Sequence, residues 1–252
     1  MNPGKKKILI FIISYKASFR VLDVYQKIPF INLKNFFVKV LLSDDFSNDD
    51  TINYIKKIKN SNNNTYTNEN KNNLGYGAHI KKCLNFAIKK KLDYAIMIHG
   101  DGQYSPTYIP AMLKVFKKNI AAVTGSRILK GIESVKKGGM PFYKLIGNVL
   151  LTKFFNILMK KSYTDTHTGL WAYNLSFLRD KKFNLLTDSF NFDQEFRFLN
   201  IFKKNIIKEI PIQTRYGDER SQLHIKYAIK FFFNTVLFFL IKKKLLKIKK
   251  FE

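Results

Sequence analysis

The chain has 252 residues and a formal net charge of +27, from 45 Lys and Arg against 18 Asp and Glu. Its 46% hydrophobic content suffices for a sizeable core, so one α/β domain with an extension, or two small domains, fits the length. The single cysteine, Cys83, excludes an internal disulfide and any cysteine-built zinc site, and it fits a reducing, cytoplasmic compartment.

The apolar run at residues 8–13 is expected to be a buried first strand. It is too short for the apolar region of a signal peptide, and no small-residue cleavage site follows. Residues 18–28 read as a helix stopped before Pro29, and 37–42 as a strand leading into Asp44-Asp45. A helix over 49–60, a short strand at 64–68 and a helix over 76–90 follow. In the last of these Ile80, Leu84, Ala87 and Ile88 share one face. Next come a strand at 94–98, a helix at 107–117 and a strand at 121–125. This βαβα order predicts an α/β fold with a mostly parallel central sheet flanked by helices.

Beyond Arg127 the pattern changes. Residues 129–141 are expected to form an irregular functional loop carrying Lys130, Lys136 and Lys137. Residues 143–160 read as a helix, 170–173 as a strand, 192–202 as a helix and 206–212 as a strand. A domain of residues 1–220 is thus followed by a basic, apolar, helical tail of residues 221–252. The tail's apolar stretch, 227–241, contains Lys230, Asn234 and Thr235. At ~1.5 Å per residue it falls short of the ~30 Å hydrocarbon core of a bilayer.

Ligands of such sheets gather at the carboxyl ends of the strands, and polar clusters fall there. In LLSDDFSNDDT, Asp44 and Asp45 suit hydrogen bonds from a base or ribose, while Asp49, Asp50 and Thr51 favour a helix start. In NNLGYGAHIK, a Gly-x-Gly opens a helix, which suits a phosphate or simply a turn. In HGDGQY, Asp101 offers a carboxylate and Gln103 a carbonyl oxygen to a hard divalent cation, and two glycines leave room beside them. His99 either joins that site or packs at the strand end. In TGSR, Arg127 suits a phosphate, or is a surface arginine. SYTDTHTGLWAY gathers Asp165, His167, Thr168 and Gly169 beside Trp171, a residue suited to a sugar or to the core. NFDQEF offers Asp193 and Glu195 as general base or acceptor contacts, against a solvated helix face.

Taken in order, DDFSNDDT, NLGYGA, HGDGQYSP, GSR, GGMPFYK, DTHTG, FDQE and EIPIQTRY resemble the family 2 glycosyltransferases, most of all the branch near dolichyl- or polyprenyl-phosphate sugar synthases. The resemblance covers about residues 8–216 and implies the GT-A nucleotide-binding fold. It also implies transfer of a sugar, with inversion, from a nucleotide-sugar donor to a polyprenyl phosphate or cell-envelope glycan, assisted by Mg²⁺ or Mn²⁺. Asp44 and Asp45 match the family's base and ribose contacts, Asn73 and Gly75 its nucleotide-side loop, and Asp101 the last aspartate of its metal motif. Gln103 matches the glutamine that follows, and Arg127 an arginine near the diphosphate. Asp165, Thr168 and Gly169 match an element beside the reacting sugar, and Asp193 and Glu195 the acidic pair near the acceptor. Two departures stand out: His99 replaces the first aspartate of Asp-x-Asp, and Ser14-Tyr15-Lys16 replaces the usual Pro-x-Tyr-Asn opening.

The lysine-rich tail suits an anionic membrane surface, which places the protein peripherally on the cytoplasmic face of a membrane; the alternative is a helix packed on the domain. The charge itself admits drift in a Lys-, Asn-, Ile- and Phe-rich chain, or attraction to polyanions. Two other functions compete. One is a catalytically silent member of the same family that still binds nucleotide. The other is a nucleic-acid-binding protein, although no recognised module gathers the lysines with aromatics.

Overall fold

The computed structural model describes residues 4–215, 225–248 and 251, apart from the side chains of residues 134, 136, 137, 225 and 226. Seven strands form one sheet: β1 (Lys6–Ser14), β2 (Phe36–Asp44), β3 (Thr65–Glu69), β4 (Tyr94–His99), β5 (Ile120–Ser126), β6 (Trp171–Asn174) and β7 (Ile206–Pro211). Their spatial order is β3-β2-β1-β4-β6-β5-β7. All pair in parallel except β6, which runs antiparallel between β4 and β5. Eight α-helices accompany the strands among the described residues: α1 (Arg20–Gln26), α2 (Thr51–Ser61), α3 (Tyr76–Lys89), α4 (Ile109–Val115), α5 (Ile132–Lys137), α6 (Phe142–Met159), α7 (Phe192–Phe202) and α8 (Ile225–Lys242).

The central strand explains the layers. In β1 successive side chains point to opposite faces. Leu9, Phe11 and Ile13 pack with residues of α3, α6, α7 and α8. Ile8, Ile10 and Ile12 pack with residues of α1, α2 and α4. A strand buried on both faces must be an unbroken apolar run, as β1 is.

Every expected strand is present within two residues at each end. The expected helix at 107–117 divides into a 3-10 turn, Pro106–Tyr108, and α4. The expected irregular loop of residues 129–141 contains α5, because Val135 and Met140 bury against Leu145 in a small cluster of their own. The side chains of Lys136 and Lys137 lie outside the described residues.

The tail packs on the domain. Phe231, Phe238, Ile241 and Phe251 belong to the same core as Phe11 and Trp171. Phe198 stacks on Phe238 at 4.3 Å. At about 1.5–3 kcal/mol for each large apolar side chain buried, these four contribute on the order of a small domain's net stability. The boundary drawn at residue 220 falls outside the described residues.

Candidate active site

The parallel strands end in register. Ser14 lies opposite Asp44, and Ile13 opposite His99. This common edge gathers the acidic residues that the sequence spreads over 150 positions, and their surroundings sort them into two groups.

The first group is spent inside the chain. Asp45, buried, accepts from Asn70 Nδ2 at 2.8 Å, Leu74 N at 2.9 Å and Gly75 N at 3.0 Å. It therefore ties the 70–75 loop to the end of β2. Asn73 Oδ1 also accepts from Gly75 N, at 3.0 Å. Asp44, also buried, accepts from the Ser47 amide at 2.8 Å and the Ser47 hydroxyl at 2.6 Å, while burial pushes its pKa up.

Asp165, with no exposed surface, receives Arg127 in a two-point clasp: Nε to Oδ2 at 2.7 Å and Nη2 to Oδ1 at 2.9 Å. Burial opposes ionisation there, but the Arg127 charge and hydrogen bonds prevail and hold the carboxyl at about 2. The fork expected to grip a diphosphate is thus closed on Asp165. Glu209 fixes the same loop from below, accepting from the amides of Thr164 and Asp165 at 2.8 and 3.0 Å. Glu195, on α7, accepts from Thr187 N at 2.8 Å and is buried. It and Asp193 are two residues apart on a helix and so face different ways.

The second group is partly open to solvent. Asp101 leaves β4 on a turn in which Oδ1 accepts from Gln103 N at 2.9 Å. Gly102 adopts φ +80°, which the turn requires and glycine permits. Asp193 accepts from the Tyr76 hydroxyl at 2.8 Å through Oδ2, while its Oδ1 is out of solvent with no partner. Burial lifts Asp193 to about 7, against the Tyr76 hydrogen bond and the Arg197 charge.

His99 joins these pieces. Its Nε2 donates to Gly169 O at 3.1 Å. Its ring lies 5.7 Å from that of Tyr76 and 5.3 Å from that of Tyr104. The Tyr104 hydroxyl in turn accepts from Gly169 N at 2.9 Å. Burial lowers the His99 pKa, so the ring is neutral at pH 7. With Nε2 committed to a carbonyl, only Nδ1 is left to face a ligand. Tyr76 also stacks on Phe190 at 5.3 Å. Tyr76, itself in one of the sequence clusters, thus meets two others, through His99 and Asp193.

The Gly-x-Gly of residues 75–77 serves packing. The first amides of α3, at Gly77 and Ala78, donate to Asp188 O at 2.8 and 3.4 Å. A Cβ at Gly77 would lie 2.4 Å from Thr187 O. That helix start is therefore occupied by the chain itself. Trp171 is a core residue with no exposed surface, its Nε1 donating to Thr168 O at 3.1 Å. His167 packs on Phe231 of α8 at 4.0 Å, and burial lowers it to about 3.

Tyr76, Tyr104, Arg197 and Glu209 are the residues the sequence reading passes over. Arg197 follows Asp193 by four positions, one helical turn, which is a legible signal. Its guanidinium is buried over Tyr163 and Trp171, at 4.5 and 4.9 Å from the ring centres.

Among the described residues no three His, Cys, Asp or Glu side chains cluster as a metal cage. One carboxylate and one amide oxygen, Asp101 and Gln103, instead suit a hard cation that takes its remaining oxygens from a diphosphate and water.

The chain is similar to known proteins of one family. Residues 30–181 match the family described as Glycosyl transferase family 2. Over 198 residues the chain is 30% identical to an uncharacterized protein of Methanocaldococcus jannaschii, covering 75% of this chain and 81% of that one. It is 29% identical to a dolichyl-phosphate hexose transferase of Haloferax volcanii, over 56% of this chain; the match spans little more than half, 57%, of that relative. Among solved structures, glucosyl-3-phosphoglycerate synthase of Mycobacterium tuberculosis with Mn²⁺, UDP and glucosyl-3-phosphoglycerate superimposes with a TM-score of 0.60. It is 12% identical and covers 95% of this chain and 80% of that one, so the likeness is of fold, the expected GT-A arrangement.

Proposed function

The chain belongs to glycosyl transferase family 2, and on that premise we propose that it moves a sugar from a nucleotide-sugar donor to a polyprenyl-phosphate acceptor, with inversion at the anomeric carbon. The observation that carries this reading is the sorting of the carboxylates. Asp45 and Asp165 are consumed in building loops, while Asp101, on the turn after β4, and Asp193, at the start of α7, are only partly buried and less fully matched.

The 70–75 loop, held by Asp45, lies on the nucleoside side together with Asp44 and Asn73. Asp101 and the Gln103 amide oxygen would hold a Mg²⁺ or Mn²⁺ ion. Such an ion, when bound, neutralises charge on the departing diphosphate. The solved relative carrying Mn²⁺ and UDP supports this donor chemistry, and the dolichyl-phosphate transferase supports a lipid-phosphate acceptor. The Arg127–Asp165 clasp and Glu209 hold the 164–169 loop against His99 and Tyr104, beneath the reacting sugar. Asp193 stands on the acceptor side. A phosphate oxygen is already an anion and attacks without a base. A hydroxyl acceptor would give its proton to ionised Asp193. The proposed seat is peripheral, on the cytoplasmic face of the membrane that carries the acceptor; among the described residues no helix is long and apolar enough to cross one.

The test is a thermal-shift panel of UDP, GDP, CDP and dTDP, with and without Mn²⁺ or Mg²⁺, on wild type and Asp101→Asn, followed by transfer of labelled sugar to polyprenyl phosphate. A nucleotide at a hundred times its Kd stabilises by about 2.7 kcal/mol. Metal-dependent stabilisation by one base, lost in Asp101→Asn, is expected. Stabilisation by none of the four, in folded protein, would sink the transferase reading in favour of a silent member of the family.

A further inference from the structure

Away from the candidate site, exposed apolar side chains form a surface across two adjacent helices. On α6, Tyr143, Ile146, Leu150 and Ile157 are 71%, 44%, 60% and 75% exposed. Their spacing puts them on one stripe. On α8, Ile229, Phe232 and Phe233 are 54%, 40% and 64% exposed, while Phe231, Phe238 and Ile241 face inward. Phe154 of α6 stacks on Phe232 at 4.5 Å, so the two stripes meet at a seam that is itself at the surface. Scattered exposed apolar side chains need no explanation, but a contiguous patch marks an interaction site.

The charges beside it indicate the occupant. No Asp or Glu occurs from Phe142 to Thr164, or from Ile225 to Phe251. Lys153 shares the α6 stripe, and Lys230 on α8 and Lys160, Lys161, Lys243 and Lys244 just past the ends of the two helices are exposed. We infer that α6 and α8 together form a platform that lies in the headgroup region of an anionic bilayer, apolar stripes inward and lysines on the lipid phosphates. A lysine beside such a surface combines an aliphatic stem with a charge that reaches the headgroups. A second copy of the chain fits poorly, since a two-fold contact sets each patch against itself and so lysines against lysines.

Both helices also touch the site. Gln194 of α7 donates to Phe231 O and Thr235 Oγ1 of α8, at 2.8 Å each. Thr152 of α6 is 2.9 Å from Thr166 in the loop that Arg127 clasps. α8 thus packs on the helix that carries Asp193, and α6 on the loop that carries Asp165. The inference rests on the lipid-phosphate reading for its purpose; its evidence is the surface alone.

The experiment is flotation of the full-length protein with vesicles of phosphatidylcholine, with and without phosphatidylglycerol, alongside nucleotide thermal shifts on the same samples. Wild type should float with the anionic vesicles, and Leu150→Glu with Phe233→Glu should bind them at least roughly tenfold more weakly. Both side chains are well exposed, so the fold tolerates the change, and an unchanged nucleotide response would show it. Equal flotation of wild type and variant would overturn the platform by assigning binding to the lysines alone. No flotation of wild type would also overturn it, as would self-association abolished by the same substitutions. Failure of the vesicle arm with the nucleotide response intact removes the platform and leaves the transferase reading standing. The converse removes the transferase reading and keeps the platform.

Discussion

Replacing Tyr76 with Phe removes one hydroxyl and keeps the ring between His99 and Phe190. The lost group donates 2.8 Å to Asp193 Oδ2. Asp193 titrates at about 7, raised by burial and lowered by that bond and by Arg197. A hydrogen bond to a charged group is worth about 1.5–3 kcal/mol, and the neutral acid retains part of it. A net loss of about 1.4 kcal/mol for the ionised form moves half-ionisation up by about one pH unit, to about 8. At pH 7 the ionised fraction then falls from about one half to about one tenth. Carbon-13 NMR titration of the aspartate carboxyls, with Asp193→Asn to assign the resonance, measures this directly. A midpoint unmoved or lowered would refute the reasoning. Because folding favours the neutral acid, this group's stability contribution is full below the unfolded pKa near 4 and is lost as pH rises towards about 7. In Tyr76→Phe that loss extends to higher pH. Transfer rates add a second reading. With a hydroxyl acceptor they follow the ionised fraction, and with a phosphate acceptor they do not.

Asp45→Ala strands the three donors of the 70–75 loop, so it should cost about 2–4 kcal/mol in urea unfolding and weaken nucleotide binding. Arg127→Ala leaves a buried, unpaired Asp165 and should cost about 3–5 kcal/mol. Asp165 is held at about 2, so its contribution is present above the unfolded pKa near 4 and lost as pH falls towards about 2. The variant should therefore show a flatter acid limb in chemical denaturation. Gly77→Ala puts a Cβ 2.4 Å from Thr187 O, which forces α3 from the 187–188 backbone. It should cost about 1–3 kcal/mol and lower kcat, read by melting temperature and steady-state assay.

The strands and the edge that carries the candidate site are legible because a parallel sheet needs apolar runs, and polar residues at their ends have little structural reason to be there. Two things are hidden. The insertion of β6 between β4 and β5 is one, since nothing in chain order separates two strands joined by a helix. The fate of each carboxylate is the other. Asp45 finds its partners 25 to 30 residues away, and Arg127 finds Asp165 at a separation of 38. Residue type and spacing cannot report such pairings. The tail is ambiguous for a related reason. It is apolar on both faces, and only the position of α7 decides that Phe231 and Phe238 turn inward while Phe233 turns out.

The two aspartates that flank the reacting sugar in the proposed complex are chemically identical in sequence and opposite in environment. Asp165 is ionised at about 2 because a guanidinium meets both its oxygens. Asp193 sits at about 7 because burial disfavours its charged form more than Tyr76 and Arg197 restore it. Environments that push two titrating groups apart assign them different work. One fixes a loop at every working pH, and the other changes state near neutrality, on what is the acceptor side in the proposed complex. Mild acid therefore acts on Asp193 while the Arg127–Asp165 clasp stays closed. A loss of hydroxyl transfer as pH falls below about 7, reversed on returning to higher pH, is then the outcome expected of Asp193 in its proposed role and not a loss of the loop.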